Sequence, residues 1–483
     1  MSRLTRDLWR FTLAFQTQKH QRTRGRCNGE RIARKQWLRR LHATQERQQQ
    51  SPFQPHSQRS LDQRLVLILP QNAIDLAVFR VVVCLVALLS ADIHTAAHFA
   101  TFVHVPLLPL PTAQFLHSLA ILALMSCLLG FFSRISALIS CVSLAFLLSL
   151  PIAAGAFRHY HHLVWFLALL AASPCGDALS LDRVLGVRQG KMPVILPPSR
   201  AYGLALDLAW LLLGLIFFFP GLWKLLNAGQ NWPQVMLQNM HWKWAQFHKI
   251  PQFRLDLHPQ LLALSAWSVI AFELLFLPLQ FLRKTRPFLL LAALLFHFGA
   301  ATFMYLSFTS LWLCYAGLFH WTPALEPWQT RILQKFQQQN AQQNPQQIQR
   351  KIWPIALLCM PLLVGVLHAG ATRDVFSWPF ACYPTFDVAV GDWMPRLDLQ
   401  TVNTQGQIQN LPLNTGLDSQ QNWGLQWRLL RDQNALRDFV QKQQVPNNTQ
   451  QIQGWKVLQN TQPGHWQETK NRQLLLALPV LKQ

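Results

Sequence analysis

The stretch FFFPGLWKLLNAGQNWPQ, Phe217 to Gln234, sets one lysine, Lys224, where an apolar run gives way to Gly, Asn and Trp. Two states are open to such a side chain. Its aliphatic stem can lie along the apolar region while the ammonium snorkels to polar surroundings. Alternatively, desolvation favours the neutral amine and makes it available as a base. Position along the chain does not separate the two. Other ionisable groups stand in comparable places. His161 and His162 open the apolar part of FRHYHHLVWFLALL, His297 lies inside LLFHFGAATFMYLSF, and Glu273 lies inside AFELLFLPL. A polar side chain within an apolar helix is costly and normally faces the interior of a bundle. Lys, Glu and His grouped there have proton transfer as their natural chemistry. HYHH also offers imidazole nitrogens, but helical neighbours point apart and no carboxylate or Cys stands at ligand spacing, so no metal is expected. Asp75 and Arg80 look like an ion-pairing or helix-packing couple.

The elements that position these residues follow from composition. Of 483 residues 51% are apolar and only 13% charged, yet mean hydropathy is only slightly positive, so the apolar residues are clustered. Each block approaches the roughly 20 residues that a helix needs to cross a bilayer, and lipid, which cannot satisfy backbone polar groups, selects helices over open strands. The expected fold is an all-α polytopic membrane protein of about nine transmembrane helices. They are placed at Ala73 to Ile93, Gln114 to Phe132, Ile135 to Ile152, His161 to Ala172, Leu204 to Leu226, Leu261 to Phe281, Phe288 to Phe303, Tyr305 to Phe319 and Ile352 to Ala369. A basic, Gln-rich segment (1–70) precedes this transmembrane domain (73–371), and an extramembrane domain (372–483) follows. Alternating stretches such as RLDLQTVNTQGQIQNLPL mark that last domain as β-rich.

The net charge of +23 is carried largely by the N-terminal segment and particular loops. Such a balance suits a nucleic-acid arm, but it is read here as a cytoplasmic flank with the bilayer as partner and no nucleic acid. With the N-terminus inside, Arg134, then Arg183, Arg188, Lys191 and Arg200, then RKTR at Arg283 to Arg286, then Arg331, Lys335, Arg350 and Lys351 all fall inside. The C-terminal domain then falls outside, which in a cell membrane is the periplasmic or extracellular side. The loop 227–260 departs from this bias, because it falls outside and carries Lys243, Lys249 and Arg254. Its Trp and His content suggests an amphipathic or re-entrant element at the interface. The eight cysteines include no C-x-x-C pair or zinc spacing.

Several segments in this order resemble the vitamin K-dependent gamma-carboxylase and horizontally transferred transmembrane domain superfamily, in particular a bacterial member. The resemblance covers about Asp75 to Phe386. It rests on FPGLWKLLNAGQNW, similar to a Gly-x-x-Lys-Leu segment; on FELLFLPLQFLRKTRPFLLLAALLFHFGAATFMY, similar to an acidic helix, basic turn and histidine helix; on HYHHLVWFLALLAASPCGDALSLD; and on WPFACYPTF after the last span. It implies a membrane enzyme that couples oxygenation of reduced vitamin K, or another isoprenoid hydroquinone, to deprotonation and carboxylation of a protein or peptide glutamate on the outer face. Oxygen and carbon dioxide would be co-substrates. Lys224 would be the base toward the hydroquinone and His161 a second catalytic residue, with His297, His162 and Glu273 beside the quinone. Two departures stand out. The family's Asn-His pair is here Tyr160-His161 followed by His162, and the C-terminal segment is shorter than in the animal enzyme. Two other functions fit the same residues: a quinone-binding oxidoreductase subunit, and a non-catalytic membrane assembly protein.

Orientation is checked by labelling. In a background free of native cysteines, a membrane-impermeant thiol reagent should modify Asn447→Cys and spare Gln50→Cys in intact spheroplasts; the reverse pattern would invert the topology.

Overall fold

The computed structural model describes residues 69–91, 110–153, 159–337, 352–374, 377–380, 386–412 and 425–480 apart from 442, 444 and 447. The basic N-terminal segment lies outside these up to residue 68, as does most of WPFACYPTF. The helical part runs α1 (Ala73–Ser90), α2 (Leu110–Leu129), α3 (Ser133–Ala153), α4 (His161–Ala172), α5 (Leu181–Arg188), α6 (Arg200–Asn227), α7 (Trp232–Phe247), α8 (Pro259–Leu279), α9 (Arg286–Met304), α10 (Thr309–Cys314), α11 (Thr322–Phe336) and α12 (Trp353–Thr372). Among the described residues, 7 helices are long and apolar enough to cross a membrane: α1, α2, α3, α6, α8, α9 and α12.

The other two expected spans are of a different kind. α4 has 12 residues, about 18 Å at 1.5 Å per residue, against a hydrocarbon layer of about 30 Å. Residues 305–319 do not form one helix. Tyr305 ends α9 in the left-handed region at φ 53°, α10 has 6 residues, and a 3-10 turn, Tyr315–Leu318, follows. Short and irregular backbone is tolerated at such depth where protein surrounds it, and most of α4 is buried. Both pieces return the chain to the end where α1 begins. There Gln71 bridges to Ser199, just before α6. Asp75 accepts hydrogen bonds from the backbone N–H groups of Trp321 (2.7 Å) and Thr322 (2.9 Å) at the start of α11.

The expected Asp75–Arg80 couple does not form. Five residues apart on one helix, the two side chains point away from each other. Asp75 staples the entry to α11 and also pairs with His320 at 2.7 Å. Arg80, fully buried, donates to the carbonyls of Cys175 and Leu179, each at 2.6 Å, and so satisfies the turns beyond α4. At the same end Ser180 caps α5 by accepting from the Arg183 N–H. Asp182 accepts from the N–H groups of Phe132 and Ser133, which ties α5 to the α2–α3 turn.

At the other end the element expected to rest at the interface is a helix, α7, packed onto α8 and α9. The Trp232 indole donates to Ala266 O at 2.9 Å and the Trp244 indole to Phe303 O at 2.7 Å. The cations that depart from the charge bias are offset here. Burial pushes the Lys243 ammonium down to about 7, and its Nζ lies 4.5 Å from the Trp242 ring centroid. Arg254 makes two hydrogen bonds to Asp256; burial opposes ionisation of that carboxyl, but the guanidinium beside it holds it below the usual carboxylate range.

The C-terminal part is an antiparallel sheet of order β2-β1-β3-β4, with β1 (Trp393–Asn403), β2 (Ile408–Leu411), β3 (Thr449–Asn460) and β4 (Thr469–Pro479). The stretch read as alternating forms the β1–β2 hairpin, with Leu399 opposite Leu411. A further helix, α13 (Gln433–Gln441), buries Leu436 and Val440 in a small core with Leu397, Leu399 and Ile452. Asp387 joins this part to the helices. Its carboxylate takes hydrogen bonds from Asn227 at the end of α6 and from Arg373 just after α12, each at 2.7 Å.

Arg80→Leu should destabilise the protein by about 2–3 kcal/mol or more, since it strips buried carbonyls of their donor. Thermal unfolding in detergent measures the loss, and a shift within error of wild type would show that water replaces the guanidinium.

Candidate ligand cavity

Every residue singled out for chemistry lines one cavity of about 440 Å³: Lys224, Glu273, His161, His162 and His297. Its walls are otherwise mainly apolar, with Phe217, Phe272, Phe296 and Phe308 among them. α4 brings the two histidines, α6 the lysine, α8 the glutamate and α9 His297, while Trp232, Met236 and Asn239 of α7 close one side. Residues distant in sequence thus meet at one end of the bundle.

Lys224 does not snorkel. It is buried, and its Nζ donates to Glu273 Oε1 at 2.5 Å, with the Trp232 ring centroid 5.3 Å away. The local sequence makes this approach feasible. Gly221 sits one turn before Lys224, and a Cβ there would lie 2.7 Å from Glu273 Cβ, so α8 reaches α6 only because the side chain is absent. Gly370 serves the neighbouring contact with α12, since a Cβ there would lie within 2.2 Å of the Phe219 ring, and Trp223 caps that crossing by donating to Gly370 O at 2.8 Å. The opposite face of Glu273 is unsatisfied. Its Oε2 is buried without a hydrogen-bond partner among the described residues.

Aromatic rings pack against each of the imidazoles. His161 packs 4.7 Å from Trp165 and His162 meets Phe166 edge-on at 6.0 Å. His297 sits between Phe296 and Phe308, with centroids 5.3 and 5.4 Å away, and its Nε2 lies 2.8 Å from the Tyr315 hydroxyl. His297 Nδ1 is buried with no hydrogen-bond partner among the described residues. A buried, hydrogen-bonded Lys–Glu pair beside imidazoles in a mainly apolar cavity gives a place where a proton can move over short distances. Among the described residues no group of three His, Cys, Asp or Glu is arranged to hold a metal ion.

Sequence reading missed Trp232, Asn239 and Tyr315. Trp232 and Asn239 lie in a stretch read only as interfacial, and Tyr315 lies in an apolar block where a buried hydroxyl has no sequence signature. Searches of protein-family models, curated proteins and solved structures find no match to this chain.

Lys224→Met should cost about 3–5 kcal/mol, because Glu273 then keeps a buried charge with no partner. Adding Glu273→Leu should restore most of the loss. Unfolding in detergent is the measurement, and equal losses in the single and double variants would show that packing, not pairing, holds these helices together.

Proposed function

We propose that the chain is a multi-pass cell-membrane enzyme that binds a reduced isoprenoid quinone in this cavity and takes a proton from it with Lys224, after the manner of the vitamin K-dependent gamma-carboxylases. The observation that carries the reading is the convergence of Lys224, Glu273, His161, His162 and His297 on one apolar-walled cavity. Its volume of about 440 Å³ falls within the roughly 300–1,000 Å³ usual for small-molecule sites. Aromatic walls suit a flat ring with an apolar tail, and the polar atoms gathered on a few residues suit the ring's oxygens. When bound, the reduced quinone supplies the electrons for oxygen and, through that reaction, the base strength that carboxylation of a glutamate by carbon dioxide requires.

The protein's part is proton handling. Lys224 shares a hydrogen bond with Glu273. Movement of the proton along it to Oε1 leaves Nζ with a lone pair that accepts a proton from a hydroxyl in the cavity. Glu273 therefore serves as the store that makes the amine available, and Gly221 sets their approach. His161 stands as the second catalytic group, and His162 and His297 hold the ring. With the N-terminus cytoplasmic, α1 begins inside and the cavity lies toward the outer face, where a protein or peptide glutamate is presented beside the C-terminal domain. Here α4 and the stretch 305–319 act as the returning passes of a nine-pass topology.

The test uses the purified protein in nanodiscs with a reduced, isoprenoid-tailed 2-methyl-1,4-naphthoquinone, oxygen and bicarbonate. Glutamates gaining a carboxyl group are read by mass spectrometry and quinol oxidation by absorbance. Lys224→Arg keeps a cation against Glu273 but cannot release its proton at these pH values; it should lower both readings by about 100-fold or more. Full activity in the arginine variant would sink the assignment of the base. Quinol oxidation without carboxylation would instead favour an oxidoreductase subunit, and indifference of both to Lys224→Ala a non-catalytic assembly protein.

A further inference from the structure

We propose that Tyr315 locks His297 in the tautomer protonated at Nδ1, so that the cavity presents a fixed N–H donor to a carbonyl or hydroxyl oxygen of its ligand. Tyr315 is 2% exposed, and its hydroxyl has one hydrogen-bonding partner among the described residues, His297 Nε2 at 2.8 Å. Two arrangements satisfy that contact. If the imidazole donates from Nε2–H, the tyrosine O–H is left buried and pointing at no acceptor. Tyr315 is not part of the cavity wall, so no ligand there can relieve it. If the tyrosine donates, Nε2 accepts with its lone pair and the neutral ring carries its proton on Nδ1. The atom left over is then Nδ1–H, which is buried and without a partner among the described residues, on a residue that does line the cavity.

A buried donor without an acceptor is unfavourable. The arrangement that leaves its one unsatisfied donor on a cavity-lining residue is the one that a ligand oxygen repairs. Three rings, Phe217, Phe296 and Phe308, pack around the imidazole and keep it from turning to find another partner. The group recognised is therefore an oxygen that accepts, as both a quinone carbonyl and a hydroquinone hydroxyl do. Glu273, another cavity-lining residue, has its Oε2 buried without a partner among the described residues and asks for a donor instead, so a ligand bearing one hydroxyl and a second oxygen matches both. Tyr315 acts through His297 and is a positioning residue. The inference rests on the reading of the cavity as a site for an oxygen-bearing ring, while the tautomer needs only an acceptor in the cavity, a ligand oxygen or water.

Two measurements separate them. Nitrogen-15 NMR of histidine-labelled protein in bilayers near neutral pH, with the His297 signals identified by their loss in His297→Leu, should show Nδ1 protonated and Nε2 bare. Tyr315→Phe should raise the share of Nε2–H and weaken binding of 2-methyl-1,4-naphthoquinone, followed by tryptophan quenching, by roughly tenfold, the value of one net hydrogen bond. A wild-type His297 protonated at Nε2 overturns the proposal even if the phenylalanine variant fails to fold. Unchanged naphthoquinone affinity in a folded Tyr315→Phe protein overturns the donor role. The expected tautomer in a protein with no affinity for the naphthoquinone leaves the Tyr315–His297 lock standing and removes the quinone reading alone.

Discussion

The fold is organised around the cost of keeping charge away from water. An ammonium and a carboxylate placed in an apolar interior lose far more hydration than a surface pair, and they remain there only if each is within hydrogen-bonding distance of the other. The Lys224–Glu273 contact at 2.5 Å thereby dictates the separation of α6 and α8, and that separation in turn requires a glycine at 221. The aromatic residues that wall the cavity surround the pair with mainly apolar surface. Removal of one partner and removal of both are consequently very different perturbations.

The same accounting explains the opposite end of the bundle. Arg80 is buried as completely as any described residue, yet it faces carbonyl oxygens rather than a carboxylate. Its task is to satisfy turns that follow a helix too short to span. Asp75, nearby in sequence, does the complementary work on N–H groups at the start of α11. Two charges that look like a pair are two separate staples, one for each returning segment.

The positions of the site residues were legible in the sequence because an ionisable side chain inside an apolar block needs a reason to be there. Lys224, Glu273, His161, His162 and His297 all stand out in this way. What each of them touches was not legible. Glu273 is 49 residues from Lys224, and nothing in either segment names the other. Span counting met the same limit: apolar content does not distinguish a helix facing lipid, such as α9 with Phe298 exposed, from one enclosed by protein, such as α4. The β1–β2 hairpin was readable because alternation carries its own period, whereas the burial of Lys243 was hidden by its place in a polar-looking loop.

The clasp at Asp387 bears on modularity. By composition the chain divides near residue 372, and the part beyond it has its own small core. A cut after Arg373 nevertheless removes the Asp387 carboxylate that receives both Asn227 and Arg373. The last turn of α6, which begins at Lys224, then loses its anchor. The C-terminal part is thus a tensioning element for the helix that carries the lysine, and a chain trimmed to its helical part would slacken at the cavity.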